Sequence, residues 1–195
     1  MTALIILAAG ASSRLGVPKQ NLLFENQTLL QKVIETGLGS ACKRVMVVLG
    51  ANAHAIEPSD LADVEVLYNK DWNEGMASSI KLAIREIEND KEVEQAVIML
   101  CDQPFVTPIL IDTMLQKQME TAKPIIACSY NNTIGVPVLF NKSLFAELLL
   151  LKGHDGAKKI LQTHPHDVAT ISFELGGIDI DTKEDYEQLL KPGNQ

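Results

Sequence analysis

The chain has 195 residues, 46% of them apolar and 22% charged, and carries a net charge of −8. That size and balance predict one folded domain over residues 1–195 with a sizeable core, and they exclude disorder, collagen and low-complexity architectures. The acidic balance argues against a nucleic-acid partner, because neutralising phosphates along a strand needs a basic stripe.

The opening run Met1-Thr2-Ala3-Leu4-Ile5-Ile6-Leu7 has no basic leader and passes into Ala8-Ala9-Gly10-Ala11-Ser12-Ser13-Arg14. Neither a signal peptide nor a membrane span is expected, so the reading is a soluble, cytoplasmic protein with no membrane partner. Cys42, Cys101 and Cys128 form no CxxC or zinc spacing and read as reduced core residues. Cys101 is read as a buried small hydrophobe rather than a nucleophile.

Short apolar runs predict strands at Leu4–Ala8, Val45–Leu49, Val64–Tyr68, Ala96–Leu100, Ile125–Ser129, Val136–Phe140 and Val168–Ser172, with a further short piece at Ile178–Ile180. Between them, apolar spacings of three and four predict helices at Leu29–Leu38, Met76–Ile87, Ile109–Met119, Leu144–Leu151, Ala157–Leu161 and Thr182–Leu190. Thr107-Pro108 offers an N-cap followed by proline at the first helical position. Thr182 to Asp185 has the form of a capping box with Asp in the usual Glu/Gln role. Alternation of this kind implies an α/β domain whose largely parallel sheet is covered on both faces. Two β-rich runs around the polar turn Tyr130-Asn131-Asn132 predict one antiparallel excursion. In such sheets ligands bind beyond the carboxyl ends of the strands.

The loop after the first strand, Leu7 to Lys19, combines glycine, small residues, two hydroxyls, Arg14 and Lys19. Small residues let backbone N–H groups approach an anion, and the two cations can neutralise phosphate. Gly16 is followed by Val17-Pro18-Lys19, so the Walker pattern fails, and so does the dinucleotide pattern G-x-G-x-x-G. Asp102 comes just after an apolar strand, where a carboxylate facing phosphates makes sense with a divalent cation between them. Asp179 and Asp181 alternate about Ile180, so in a strand both carboxylates share one face, and a cation would relieve their repulsion. Trp72, the chain's one tryptophan, is expected to be a packing anchor rather than a stacking platform.

Ala8-Ala9-Gly10-Ala11-Ser12-Ser13-Arg14-Leu15-Gly16 with Lys19 resembles the signature loop of the MobA-like nucleotidyltransferases. The nearest form is that of the molybdenum cofactor cytidylyltransferase branch, L-A-A-G-x-S-x-R-M-G-x-x-K, with Leu15 in place of Met. Further likenesses follow in order: Asn69 to Ile80 resembles N-x-x-W-x-x-G-M-x-S-S-[IL], Asp102-Gln103-Pro104 resembles D-Q-P, Gly135 to Phe140 resembles G-x-P-x-x-F, and Asp179 to Asp185 resembles D-I-D-T-P-E-D. Gly153-His154-Asp155-Gly156-Ala157-Lys158 departs from the usual G-D-x-G-A-R, with His154 at the Asp position and Lys158 at the Arg position.

The resemblance implies a Rossmann-like three-layer sandwich of the nucleotide-diphospho-sugar transferase type. It implies a Mg²⁺-dependent enzyme that joins CMP from CTP to a phosphorylated acceptor, molybdopterin or the molybdenum cofactor, and releases pyrophosphate. By resemblance, Arg14, Lys19 and Asp102 are catalytic. Ala8, Ala9, Gly10, Ser12, Ser13, Gly75 and Ser79 hold the nucleotide. Asp102, Asp179 and Asp181 hold the metal, and His154, Asp155 and Lys158 meet the acceptor. Ala8-Ala9-Gly10, where guanylyl members usually show Ala-Gly-Gly, favours CTP over GTP. Alternatives are GTP as donor, another small phosphorylated acceptor, or a non-catalytic protein that hands a cofactor to a molybdenum hydroxylase. A redox enzyme is disfavoured because the dinucleotide fingerprint is absent.

Overall fold

The computed structural model describes residues 1–56 and 61–191. Its centre is a seven-stranded sheet built from β1 (Thr2–Ala8), β4 (Arg44–Leu49), β5 (Glu65–Tyr68), β6 (Gln95–Leu100), β7 (Ile125–Tyr130), β8 (Thr133–Asn141) and β9 (Val168–Ser172). Their spatial order is β5-β4-β1-β6-β8-β7-β9. Only β8 runs against its neighbours, pairing antiparallel with both β6 and β7. The predicted excursion is therefore a hairpin whose second strand inserts between β6 and β7. A small separate hairpin pairs β2 (Leu23–Phe24) with β3 (Gln27–Thr28).

Helices cover both faces. Along β1, Ala3, Ile5 and Leu7 turn towards α2 (Met76–Ile87), α4 (Phe145–Leu148) and α5 (Ala157–Thr163). Leu4, Ile6 and Ala8 turn towards α1 (Leu29–Leu38) and α3 (Pro108–Thr121). All seven residues of β1 are buried, which is why the central strands read as unbroken apolar runs rather than alternating ones. Cys42, Cys101 and Cys128 are free thiols within this core. Among the described residues, no helix is long and apolar enough to cross a membrane.

Local chemistry accounts for the helix starts. Thr28 and Gln31 form a reciprocal capping box at α1. Thr107 accepts from Leu110 N ahead of Pro108, as the Thr-Pro signal predicts. At α6 (Lys183–Leu189), Thr182 accepts from Asp185 N while Asp185 accepts from Thr182 N, so Asp does complete the capping box.

Two expectations are corrected. Ile178–Ile180 is not a strand. Ile180 is instead wholly buried in a satellite cluster with Phe24, Leu29 and Leu189, and that burial produced the apolar signal. The Leu144–Leu151 stretch is a 3-10 turn at Lys142–Leu144 followed by the single-turn α4, too short for a full amphipathic helix.

His164 closes α5, its N–H donating to Ile160 O, and its ring meets Glu147 Oε2 at 2.8 Å and Asp167 Oδ2 at 3.4 Å. The hydrogen bond to Glu147, then that residue's charge and Asp167, raise its pKa. A raised histidine stabilises the fold fully below its unfolded value near 6.5 and loses that contribution as pH rises through the folded value. Between pH 6 and pH 8.5 we expect a fall of about 1–2 °C in Tm that His164→Gln removes, the effect being small because the pair is solvent-screened. Differential scanning fluorimetry of both proteins across that range checks it, and parallel pH profiles would contradict the assignment.

Candidate active site

At the carboxyl ends of β1 and β6 the surface opens into a cleft of about 520 Å³. Its floor is the loop that leaves β1. The carbonyls of Ala8, Ala9 and Gly10 are taken by protein donors: Gln20 Nε2 at 2.6 Å from Ala8 O, Ala51 N at 3.1 Å from Ala9 O, and Asn52 Nδ2 at 3.2 Å from Gly10 O. The N–H groups of Gly10 and Ala11 meet no acceptor among the described residues. Carbonyls held back and N–H groups left free make a concave anion-binding edge. Ser12, at φ +54°, turns the chain. Its carbonyl accepts from Leu15 N and Gly16 N, and its hydroxyl oxygen accepts from Lys19 N at 3.0 Å. Leu15, 1% exposed, pins this turn to the core.

The turn delivers Lys19 into the middle of the cleft. Its ammonium donates to Asp102 Oδ2 at 2.8 Å and to Asp181 Oδ1 at 2.7 Å, while Arg14 donates to Asp181 Oδ2 at 2.6 Å. Burial pulls the Lys19 ammonium down, but the charge and hydrogen bond of Asp102, joined by the bond to Asp181, outweigh it and leave its pKa above the ordinary lysine value. Burial likewise opposes ionisation of Asp181, yet Lys19 and Arg14 hold its carboxyl below the usual range. Asp179 moves the other way, raised by burial and then by the charges of Asp102 and Asp181. The Cys101 thiol, pushed up to about 12 mainly by burial and then by Asp102, stays protonated and inert.

Asp102, Asp179 and Asp181, the residues expected to hold a metal, all line the cleft. Among the described residues there is no group of three or more histidine, cysteine or acidic side chains placed to hold an ion. Lys19 and Arg14 already pair with Asp181. Two carboxylates nonetheless fit a hard divalent cation. Asp102 Oδ1 is buried without a partner, and Asp179 is crowded by like charge. Mg²⁺-type ions commonly take one or two carboxylates and complete their shell with phosphate oxygens and water.

The opposite wall is the start of α2. Asn69, buried, donates to Ser78 Oγ at 2.7 Å and to Ser79 Oγ at 2.9 Å. Ser78 passes its own proton to Gly75 O, whereas the Ser79 hydroxyl proton has no acceptor among the described residues and faces the cleft. Gly75 is required by shape: it has φ +104°, and a Cβ there would lie 2.4 Å from Gly153 O.

Of the residues expected at the site, Ala8, Ala9, Gly10, Arg14, Lys19, Gly75, Ser79, Asp102, His154, Asp179 and Asp181 line the cleft. Ser12 supports the loop from behind and Ser13 is exposed outside it. Asp155 turns back on its own loop, its Oδ2 accepting from Lys152 N at 3.4 Å. Lys158 faces a separate hollow of about 830 Å³ beside Tyr130 and Gln162. Sequence reasoning missed Gln20 and Asn52, which hold the loop carbonyls, and Gly50, whose Cβ would strike Ala9 O at 2.7 Å. The only available signals were Gln20 following Lys19 and Gly50 following a strand.

A Cβ at Gly10 would meet nothing within 4 Å, so packing does not demand glycine there. Gly10→Ala should fold with stability changed by less than about 1 kcal/mol yet weaken triphosphate binding at least about tenfold by obstructing the anion edge. Thermal melts and calorimetric titration with CTP check both halves; unchanged affinity would remove the edge from the ligand site.

Comparison with known proteins places this geometry. The model of the MobA-like NTP transferase domain matches residues 4–168. The chain belongs to the MobA-like NTP transferase family. Within it, the chain is 30% identical over 198 residues to nicotine blue oxidoreductase of Paenarthrobacter nicotinovorans, covering 95% of each. It is 24% identical over 184 residues to the molybdenum cofactor cytidylyltransferase of Escherichia coli, covering 93% of this chain and 92% of that one. The crystal structure of Rv0371C from Mycobacterium tuberculosis in complex with manganese superposes with a TM-score of 0.80 at 26% identity, covering 98% of both chains. The α/β fold of the chain is that of the nucleotide-diphospho-sugar transferases.

Proposed function

We propose that this MobA-like transferase moves a cytidylyl group from CTP to a phosphorylated acceptor, molybdopterin or the molybdenum cofactor, with Mg²⁺ as the cation. One observation carries the reading: a single cleft wall holds a free N–H edge at Gly10 and Ala11, the Lys19 ammonium and Arg14 guanidinium, and the unpartnered oxygen of Asp102. Anion cradle, cations and an orphan carboxylate together suit a triphosphate and its metal rather than a neutral ligand.

In this reading an acceptor phosphate oxygen attacks the α-phosphorus, a new P–O–P linkage forms, the α–β anhydride breaks, and the electron pair leaves on pyrophosphate. Arg14 and Lys19 hold the phosphates and stabilise charge on the departing group, Lys19 exchanging carboxylate partners for phosphate oxygens. Gly10 offers its N–H to the phosphates, while Ala8, Ala9, Gly75 and Ser79 seat the nucleoside end, with Ser12 and Ser13 shaping the loop. Asp102 and Asp179 would hold the cation, with Asp181 set by its ion pairs to orient Lys19. The bound cation would neutralise the triphosphate and favour its reactive geometry. The acceptor would enter past His154, with Asp155 setting that loop and Lys158 adding positive charge nearby. The likeness to the Escherichia coli cytidylyltransferase and the Ala8-Ala9-Gly10 triplet support CTP, and a molybdenum hydroxylase is the proposed recipient of the product.

A second reading, reduction of a dye-like substrate, is favoured by the name of the Paenarthrobacter relative. Pyrophosphate release measured over four nucleoside triphosphates, with and without molybdenum cofactor and Mg²⁺, separates the two. CTP-dependent, cofactor-dependent release supports transfer. Oxidation of NADH or NADPH with no pyrophosphate would establish the second, and nucleotide binding without release would indicate a cofactor carrier.

A further inference from the structure

The run Asp102-Gln103-Pro104 contains one polar side chain to which the reading above gives no part. Gln103 directly follows the carboxylate beyond β6, yet it is buried and stands behind the cleft rather than in its lining. Its amide gives both hydrogens to main chain: Nε2 donates to Val136 O at 3.2 Å and to Gly176 O at 3.1 Å. The first acceptor is available because β8 is irregular there. The β7–β8 register passes from Ala127 opposite Val138 to Cys128 opposite Gly135, so Val136 and Pro137 fall outside the pairing. The second acceptor lies in the 3-10 turn Glu174–Gly177, three residues ahead of Asp179.

That turn is also seated by shape. A Cβ on Gly176 would lie 2.5 Å from Tyr130 Cδ1, and one on Gly177 would lie 2.0 Å from Asn131 Nδ2, so bare backbone packs against the end of the β7–β8 hairpin. Beyond it, Ile180 is buried with Phe24, Leu29 and Leu189. Asp179 therefore sits between two anchors, the carbonyl held by Gln103 and the Ile180 side chain. Its carboxylate depends on them more than its neighbours do. Asp102 is paired with Lys19, and Asp181 with Lys19 and Arg14, whereas Asp179 makes no ion pair among the described residues. Main chain sets its place. The other atom of the Gln103 amide, Oε1, is buried without a partner. An unanswered buried acceptor is a stability cost that an apolar side chain of similar length would avoid. What the amide contributes is its two donated bonds.

We infer that Gln103 is a positioning residue that sets Asp179 against Asp102 and so fixes the gap that a divalent cation must bridge. The proposal rests on those two carboxylates holding the cation, as argued above. One side chain reaches both arms of the site: it is the chain neighbour of Asp102 and is hydrogen-bonded three residues ahead of Asp179. Groups that orient metal ligands without touching the metal commonly change its affinity by about tenfold or more when removed. Mg²⁺ tolerates less variation in ligand spacing than Ca²⁺ does, so a fixed gap also favours the smaller ion.

Mn²⁺ titration of the nucleotide-free protein, followed by electron paramagnetic resonance, reads the gap without turnover. It is run on wild type and on Lys19→Ala, where the ammonium no longer competes for the carboxylates. Gln103→Met fills a similar volume without donating. It should fold and weaken Mn²⁺ about tenfold, while the Kd of metal-free tripolyphosphate stays within about twofold. In an Asp179→Asn background the same substitution should change Mn²⁺ affinity by less than about twofold, because Gln103 acts through Asp179. In competition against Mn²⁺, Gln103→Met should lose more affinity for Mg²⁺ than for Ca²⁺. Gln103→Asn keeps the amide but is one methylene too short for its two carbonyls. It should show the same loss and covers the case that Gln103→Met fails to fold. An unchanged Mn²⁺ Kd in a folded variant, an equal loss with and without the Asp179 carboxylate, or an equal loss of tripolyphosphate overturns the positioning role and leaves the metal reading of Asp102 standing. Absence of Mn²⁺ uptake by both wild type and Lys19→Ala overturns that metal reading and the positioning role together.

Discussion

Asp102→Asn should fold normally and lose metal-dependent nucleotidyl transfer by about a hundredfold or more. The substitution is nearly isosteric, and Lys19 keeps its second partner, Asp181, at 2.7 Å, so a large structural penalty is not expected. What disappears is chemistry. Asp102 follows β6 directly, and its Oδ1 is buried without a partner while Oδ2 accepts from Lys19. An amide cannot supply the charge that a hard cation requires of its ligand. The loss should fall mainly on kcat, because the phosphate cradle of Gly10, Ala11 and Arg14 is untouched. Raising Mg²⁺ should recover little of it. Circular dichroism and pyrophosphate release on the same sample make the check, and a folded variant with near-normal turnover at saturating Mg²⁺ would remove Asp102 from the metal site.

The parts of this molecule that were legible in the sequence share a physical feature: their cause is local. Leu29–Leu38 and Met76–Ile87 are helices over the predicted residues because an apolar stripe and its ends lie within one short window. The central strands could be read because burial on both faces writes an unbroken apolar run. The Thr107 and Thr182 caps were legible because the bonding partner lies three residues away. Pairing at a distance was not. That β8 slips between β6 and β7 depends on competition among edges that no single segment records. The β2–β3 hairpin turns at Glu25 and Asn26, both at positive φ, with no glycine to announce it. At the site, the residue types were legible through the resemblance, but their arrangement was not: Lys19 reaches Asp102 across 83 positions and Asp181 across 162. The like charge of the acidic residues is plain in the sequence, whereas the ammonium placed between Asp102 and Asp181 is not. The crowding over Gly50 comes from Ala9 and Trp72 and that over Gly156 from Met76, distant partners that no local sequence signal records.

That ammonium carries the second large expectation. Lys19→Ala should slow transfer by about 10²–10³-fold, the range seen when one charge-stabilising donor is removed from a transition state, and should raise the KM for the triphosphate as well. It should also destabilise the fold by about 2 kcal/mol, because the Asp102 side chain, only 12% exposed, is left charged without its partner. The two effects can be told apart by pH. Lys19 is raised in the folded protein, so its stabilisation is complete below the ordinary lysine value near 10.4 and fades as pH climbs beyond it. Asp181 is lowered, so its share is present above the ordinary carboxylate value near 3.9 and is lost as pH falls through the folded one. Between those limits, from about pH 5 to 9, the stability gap between wild type and variant should stay level. A metal measurement gives the opposite sign. Without the ammonium, Asp102 loses its cationic partner while Arg14 still holds Asp181, so Mn²⁺ should bind the nucleotide-free variant more tightly than wild type even as turnover collapses. Lys19→Arg should restore little, because a planar guanidinium fork does not fit a point between two converging carboxylates as an ammonium does. Arg14→Ala should cost less than Lys19→Ala, its side chain being 67% exposed. Urea titration across the pH range, Mn²⁺ titration without nucleotide and steady-state kinetics supply the three readings. If Lys19→Ala loses stability but keeps its turnover, Lys19 is a structural counter-ion for Asp102, and the charge on the leaving pyrophosphate must be met by Arg14 and the metal instead.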